Sequence, residues 1–187
     1  MTALRCTAKL FKPLKTKPAA DLCAPTNCLG DWSANVVRYA RKPFVIAVAE
    51  YSRIALILPA APYATLVERF QQDLPYLLRY LHIPDVQIEA ELAAMQPMRI
   101  AKTNSRSVLA SINNYDLMIS WLLAGGEDWT TIDLMQRIAE DISKPNDYQP
   151  TGDAVRARFG LEPMIGPAMR EQDRRFGEAY RQSSSAH

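Results

Sequence analysis

Three strand-like segments joined by very short links are the feature that most restricts the fold of this chain. Residues 31–40 (DWSANVVRYA) are followed by 44–50 (FVIAVAE) and 53–60 (RIALILPA), with breaks at RKP and YS. The last two segments are nearly continuous runs of β-branched, aromatic and aliphatic residues, which is typical of buried strands. Because parallel neighbours need a long crossover connection, the short links predict an antiparallel meander.

Further strands and helices are predicted on both sides of this meander. Residues 3–10 alternate as a first strand, and 98–103 look like a short strand that returns to the sheet. Apolar residues at helical spacing predict helices over 62–81, 84–96, 105–124 and 129–143. Asp128 is the expected N-cap of the last of these. We therefore expect an α+β domain: an antiparallel sheet of about four to five strands, with helices packed mainly on one face.

The composition changes after residue 145. NDYQPTGD has the character of a linker, Thr151 is expected to open a short helix that stops at Gly160, and a charged helix with a disordered tail is expected to follow. The predicted organisation is an α+β domain over 1–145 and a helical extension over 146–187. With few apolar positions, the last helix would pack at an edge, or bind a protein partner or a second copy of the chain.

The composition also restricts the class of protein. No stretch approaches the roughly 18 apolar residues that a membrane span needs, and the N-terminus lacks the apolar run of a signal peptide. The cysteines number three, and no further Cys or His pair completes a zinc site beside Cys23 and Cys28. We expect a cytoplasmic protein with reduced thiols, no membrane association, no metal and no cofactor.

Motifs for common chemistry are absent from the sequence. It contains no dinucleotide-binding or P-loop glycine pattern, no zinc-protease motif and no calcium loop. His82 is the one histidine before the last residue, which argues against Ser-His or Cys-His catalysis. Whether the protein is an enzyme stays open; a metal-independent enzyme would have to use Lys9, Lys102 and Arg106 together with hydroxyl groups.

Basic residues are concentrated in two segments without acids. Residues 1–20 contain Arg5 and four lysines, and residues 97–107 contain Arg99, Lys102 and Arg106. If the two segments meet in the fold, they form a positive patch that attracts anions. If they do not meet, they are ordinary solvated charges.

The second basic segment leads into the polar motif KTNSRSVLASINN (102–114). Asn104 or Thr103 is placed to cap the helix that begins there, which is a structural role. The same helix N-terminus offers free N–H groups to a phosphate or carboxylate. Arg106 would add a forked donor, Lys102 a point charge and Ser107 a hydroxyl.

Small polar residues continue along the same predicted helix. They align at helical spacing on two adjacent stripes, Ser107–Ser111–Asn114 and Arg106–Asn113. Three interpretations remain: a hydrogen-bond network that reaches Asn35 and Asp31, a ligand site, or an exposed helix face.

Three motifs together resemble a bacterial family of uncharacterised domains. The residues that match are Cys6, Thr7, Lys9 and Leu10 in a C-T-x-K-L strand; Leu29, Gly30, Asp31, Trp32, Ala34 and Asn35 in L-G-D-W-x-A-N; and Lys102, Thr103, Asn104, Arg106, Ser107, Val108, Leu109, Ser111 and Asn113 in the polar motif. The resemblance covers about residues 3–125; Ala110 and Ile112 depart from its pattern. It implies an association with plasmids and mobile elements, but no activity.

Our leading hypothesis is a non-enzymatic binding module for an anionic ligand or partner, including nucleic acid. The alternatives are a metal-independent enzyme acting on RNA or a phosphorylated small molecule, and an interaction module that uses the C-terminal helix. The candidate ligand-binding residues are Thr7, Lys9, Asp31, Trp32, Asn35, Lys102, Thr103, Asn104, Arg106, Ser107 and Asn113. The hypothesis requires these distant stretches to meet at one site.

Overall fold

The computed structural model describes residues 1–39 and 41–172 as a mixed α+β fold. Its strands are β1 (Thr2–Cys6), β2 (Trp32–Tyr39), β3 (Lys42–Ala49), β4 (Ala55–Pro59), β5 (Met98–Lys102), β6 (Ile142–Ser143) and β7 (Gln149–Pro150). Its helices are α1 (Ala8–Leu14), α2 (Leu66–Tyr80), α3 (Asp85–Ala94), α4 (Arg106–Ala124), α5 (Thr131–Ala139) and α6 (Thr151–Arg158). Residues 165–172 are also helical. The rest of the predicted C-terminal helix and the tail lie outside the described residues.

The main sheet has the strand order β4-β3-β2-β1-β5. The predicted meander is confirmed, since β2, β3 and β4 pair antiparallel through short turns. The expectation of a wholly antiparallel sheet is wrong, because β1 pairs parallel with both β2 and β5. Long connections precede β2 and β5, and connections of that length allow a parallel strand to be inserted.

Helices cover both faces of this sheet, which corrects the expectation that they pack mainly on one. Trp32 and Tyr39 are an odd number of positions apart on β2, so their side chains point to opposite faces. Trp32 packs edge-on against Phe70 of α2 with 4.9 Å between ring centroids, whereas the Tyr39 hydroxyl donates to Asp116 of α4 at 2.7 Å. Consistently, residues 45–49 of β3 are all buried.

Two local expectations are also wrong. The strand predicted over 3–10 ends at Cys6, and α1 starts at Ala8. The N-cap of α5 is Thr130 and not Asp128, because the Thr130 hydroxyl accepts from the Asp133 N–H while the Asp133 carboxylate accepts from the Thr130 N–H. This reciprocal pair satisfies two backbone donors that a cap two residues earlier would leave unpaired.

The residues after 145 pack on the same core as the sheet. Val155, Phe159 and Ile165 belong to the buried cluster, and the Asn146 amide donates to the Ser52 carbonyl at 2.7 Å. Asp153 is 3 % exposed and accepts three backbone N–H groups, from residues 164–166. None of the described helices is both long enough and apolar enough to cross a membrane.

Candidate functional site

The candidate site lies beside the end of β1, where β2 extends beyond the residues that pair with β1. Cys6 is the last residue of β1 to pair with β2, opposite Ala34. From Asn35 to Tyr39, β2 pairs only with β3. Among the strands of the described residues, the end of β2 therefore has a neighbour on one side and none on the other.

Helix α1 leaves the sheet beside this part of β2. The Thr7 N–H donates to the Ala34 carbonyl at 3.0 Å, and the Thr7 hydroxyl donates to Oδ1 of Asn35 at 2.7 Å. Leu10 on α1 is fully buried and fixes the helix against the core. These contacts hold α1 at the edge of β2 with Lys9 exposed.

A cavity of about 960 Å³ lies between α1, β2 and α4, and we call it the basic groove. It is lined by Lys9, Lys12 and Pro13 of α1, by residues 35–38 of β2, and by Tyr63, Asp116 and Ser120. Its size is at the upper end of the range for ligand cavities. Two of the predicted site residues, Lys9 and Asn35, thus line one cavity.

The charges of the basic groove are unbalanced. Lys9, Lys12 and Arg38 are exposed, and within residues 1–39 and 41–172 none of them forms an ion pair. Asp116, the one carboxylate among the described lining residues, accepts a hydrogen bond from the Tyr39 hydroxyl at 2.7 Å. Burial, and then the hydrogen bond to Asp116, raise the pKa of Tyr39, so its hydroxyl stays a proton donor at neutral pH. The groove therefore carries excess positive charge.

A second cavity, of about 520 Å³, lies next to the basic groove. Lys12 lines both cavities, and Lys102 and Thr103 line the second one together with Cys6. The Thr103 N–H donates to the Cys6 carbonyl at 3.3 Å, which holds the two acid-free segments of the sequence side by side. Burial raises the pKa of the Cys6 thiol to about 12, so this thiol is neutral and a poor nucleophile at physiological pH.

The remaining residues of the polar motif line neither cavity. Asn104, Arg106 and Asn113 are exposed, and the Ser107 hydroxyl accepts from Nη2 of Arg53 at 3.2 Å. The polar stripes of α4 do not reach Asn35 or Asp31, which bond to Thr7 and Arg5 respectively. The structure thus brings part of the motif to the cavities and leaves part on the surface.

Ser105 is the N-cap of α4, so the expectation that Asn104 or Thr103 caps this helix is wrong. The Ser105 hydroxyl accepts from the Val108 N–H at 3.3 Å. Thr103 is still hydrogen-bonded to the end of β1, and this delays the start of the helix.

Replacing Ser105 by alanine is expected to destabilise the fold by about 1 kcal/mol, because the cap of α4 is lost. Urea unfolding followed by circular dichroism would measure this change. The exposed neighbour Asn104 provides the control, and Asn104→Ala should change the free energy of unfolding by less than about 0.5 kcal/mol. The reverse order of the two effects would contradict the assignment of the cap.

The side chains of Asp31 and Trp32 make structural contacts in the interior of the protein. Asp31 is 3 % exposed, and its carboxylate accepts from the Ala3 N–H at 2.8 Å and forms an ion pair with Arg5 at 2.6 Å. The Trp32 side chain is fully buried against Phe70. Neither side chain lines the basic groove or the second cavity.

Several groove residues were not among those chosen from the sequence: Lys12, Arg38, Tyr63, Asp116 and Ser120. A signal existed for Lys12, which belongs to the acid-free N-terminal segment. Nothing in the sequence connects Arg38 with α1 or α4. In the described part of the chain, no group of three His, Cys, Asp or Glu side chains is placed to hold a metal ion.

Comparison with known proteins gives one result. A family model described as "Domain of unknown function (DUF6933)" matches residues 3–153, which include all of β1 except its first residue, β2–β5, α4 and the residues lining both cavities. No curated protein and no solved structure matches the chain.

Proposed function

The chain belongs to this family of domains of unknown function, and for it we propose a non-enzymatic binding role in which the basic groove receives an anionic ligand or partner. The observation that carries the proposal is the concentration of Lys9, Lys12 and Arg38 around one cavity of about 960 Å³. Clustered cations that outnumber the neighbouring acids raise the local concentration of anions and speed their association.

The neighbouring cavity extends the same positive surface. Lys102 lines it together with Lys12, so a ligand longer than one phosphate or carboxylate would contact Lys102 as well as the α1 lysines. Thr7 and Asn35 hold the start of α1 against β2, and they would act by positioning Lys9. A cytoplasmic location and the plasmid or mobile-element context implied by the resemblance are proposed together with this role.

Binding of labelled oligothymidylate and labelled polyglutamate, measured by fluorescence anisotropy at low ionic strength, tests the proposal. We expect the triple variant Lys9→Glu, Lys12→Glu, Arg38→Glu to bind at least one of these probes about tenfold or more weakly than the wild type. Each charge reversal changes the Coulomb energy by about 1 kcal/mol or more at contact distance. Binding should also weaken as salt is added.

The matched control is Arg99→Glu, Arg106→Glu, Lys144→Glu. It makes the same change in net charge at exposed residues that do not line the groove. It should retain most of the affinity, and equal losses in the two triple variants would show that only overall charge matters. A loss in the single variant Arg106→Ala, with the groove triple unaffected, would place the site at the N-terminus of α4 instead.

A further inference from the structure

The pairing of β2 determines which way its peptide groups point. The Ala34 carbonyl accepts from the Thr7 N–H, so it faces the β1 side. Alternate residues of a strand point the same way, and the N–H and C=O groups of Val36 and Arg38 therefore face that side too. Pro43 lies opposite Arg38 in the β2–β3 register; it has no N–H to donate, which agrees with this orientation.

Within the part of the chain that the structure describes, no strand occupies that side beyond Ala34. Among residues 1–39 and 41–172, none forms a hydrogen bond with the backbone of Val36 or Arg38. Both residues line the basic groove, Val36 is half-buried and Arg38 is exposed. An unpaired strand edge that opens into a cavity is a template for pairing with another extended chain.

The walls of the groove suit an extended peptide of a particular chemistry. One wall of the groove is α1, which contributes Lys9 and Lys12. The other wall is α4, which contributes Asp116 and Ser120. Side chains of an added strand would alternate between the two walls. Carboxylates on every second residue would meet the lysines, and hydroxyl side chains between them would meet Asp116 and Ser120.

We propose that the partner of this domain is an acidic protein segment that binds in extended form, as an added strand on the free edge formed by Val36 and Arg38. Backbone hydrogen bonds to these two residues provide the pairing, and the α1 lysines select carboxylates on alternate residues. The inference rests on the proposed function and specifies the class of its ligand. A nucleic acid would use the same cations but none of the backbone groups.

The test uses a labelled peptide of alternating glutamate and threonine, and an analogue N-methylated at alternate backbone nitrogens. The two carry the same charge, but methylation removes donors and blocks pairing along one edge. On wild-type protein, we expect an analogue methylated on the pairing edge to bind about tenfold more weakly or worse. Two methylated analogues are needed, one methylated at the glutamate nitrogens and one at the threonine nitrogens. The reason is that the peptide sequence does not determine which of its two edges pairs with β2. Nuclear magnetic resonance should show slower exchange of the Val36 and Arg38 amides with the parent peptide.

A pair of variants at one position gives an independent measurement. Arg38→Gln removes the charge and keeps the N–H, whereas Arg38→Pro removes both and obstructs the edge. Arg38→Pro should bind the parent peptide at least about tenfold more weakly than Arg38→Gln. If the proline variant does not fold, the methylated peptides decide the question on the wild type.

Equal binding of the parent and both methylated peptides would overturn the inference, as would unchanged amide exchange at Val36 and Arg38. Oligothymidylate that binds through Lys9, Lys12 and Arg38 while the peptide does not would also overturn it, but would leave the proposed function standing. If the triple variant Lys9→Glu, Lys12→Glu, Arg38→Glu binds oligothymidylate, polyglutamate and the peptide as the wild type does, the proposed function fails as well.

Discussion

Replacing Glu91 by alanine is expected to destabilise the fold by about 3 kcal/mol or more, since a buried donor left without its partner costs roughly 1–3 kcal/mol. The Glu91 side chain is 2 % exposed. Its carboxylate accepts from Nδ2 of Asn27 at 2.9 Å, from the Cys28 N–H at 2.7 Å and from the Leu29 N–H at 3.1 Å. Urea unfolding followed by circular dichroism measures the loss.

Glu89 on the same helix provides the matched control. It is exposed and takes part in none of these hydrogen bonds, so Glu89→Ala should change the free energy of unfolding by less than about 0.5 kcal/mol. Comparable effects of the two substitutions would contradict a stabilising role for the Glu91 carboxylate. The comparison keeps the helix and the chemical change constant and varies only burial and hydrogen bonding.

The Glu91 contacts explain why the loop before β2 is fixed. The Asn27 amide also donates to the Gly30 carbonyl, and its Oδ1 accepts from the Thr2 hydroxyl at 2.8 Å. One carboxylate of α3 thus ties the loop to the first residue of β1. In the sequence, Glu91 lies among other charged and polar residues of a predicted helix, and no local pattern indicates that it is buried.

The parts of the fold that were predictable are those set by local sequence. The runs 44–50 and 53–60 are apolar except for Glu50 and Arg53 at their facing ends and are separated by two residues, which leaves antiparallel pairing as the simple arrangement. The position of β1 between β2 and β5 depends on contacts between distant residues, such as Leu4 with Trp32 and with Ile100. Such pairings depend on the packing of the whole chain, so the alternation of apolar residues within a short strand does not predict them.

The candidate site was partly predictable for the same reason. Lys9 and Lys102 stood out because their segments lack acids, and both line cavities beside α1. The free edge at Val36 and Arg38 arises because β1 is shorter than β2. The expected first strand over 3–10 would have covered that edge, so the error about where β1 ends concealed the feature on which the further inference depends.

Trp32→Ala is expected to cost about 3–5 kcal/mol, the usual range for truncating a fully buried aromatic side chain. Trp32 is 0 % exposed, and its ring packs against Phe70 between the sheet and α2. Trp121 on α4 is the control, since its side chain is 73 % exposed. Trp121→Ala should change the free energy of unfolding by less than about 0.5 kcal/mol in the same urea experiment.

The variant Trp32→Phe separates the structural role of Trp32 from the ligand contact suggested by its motif. Phenylalanine retains an aromatic ring against Phe70 and should keep the protein folded at a smaller cost. Because Trp32 does not line the basic groove, the folded variant should bind the anionic probes with wild-type affinity. A tenfold loss of affinity in folded Trp32→Phe, with Lys9, Lys12 and Arg38 intact, would mean that the ligand reaches the other face of the motif and that the groove is not the whole site.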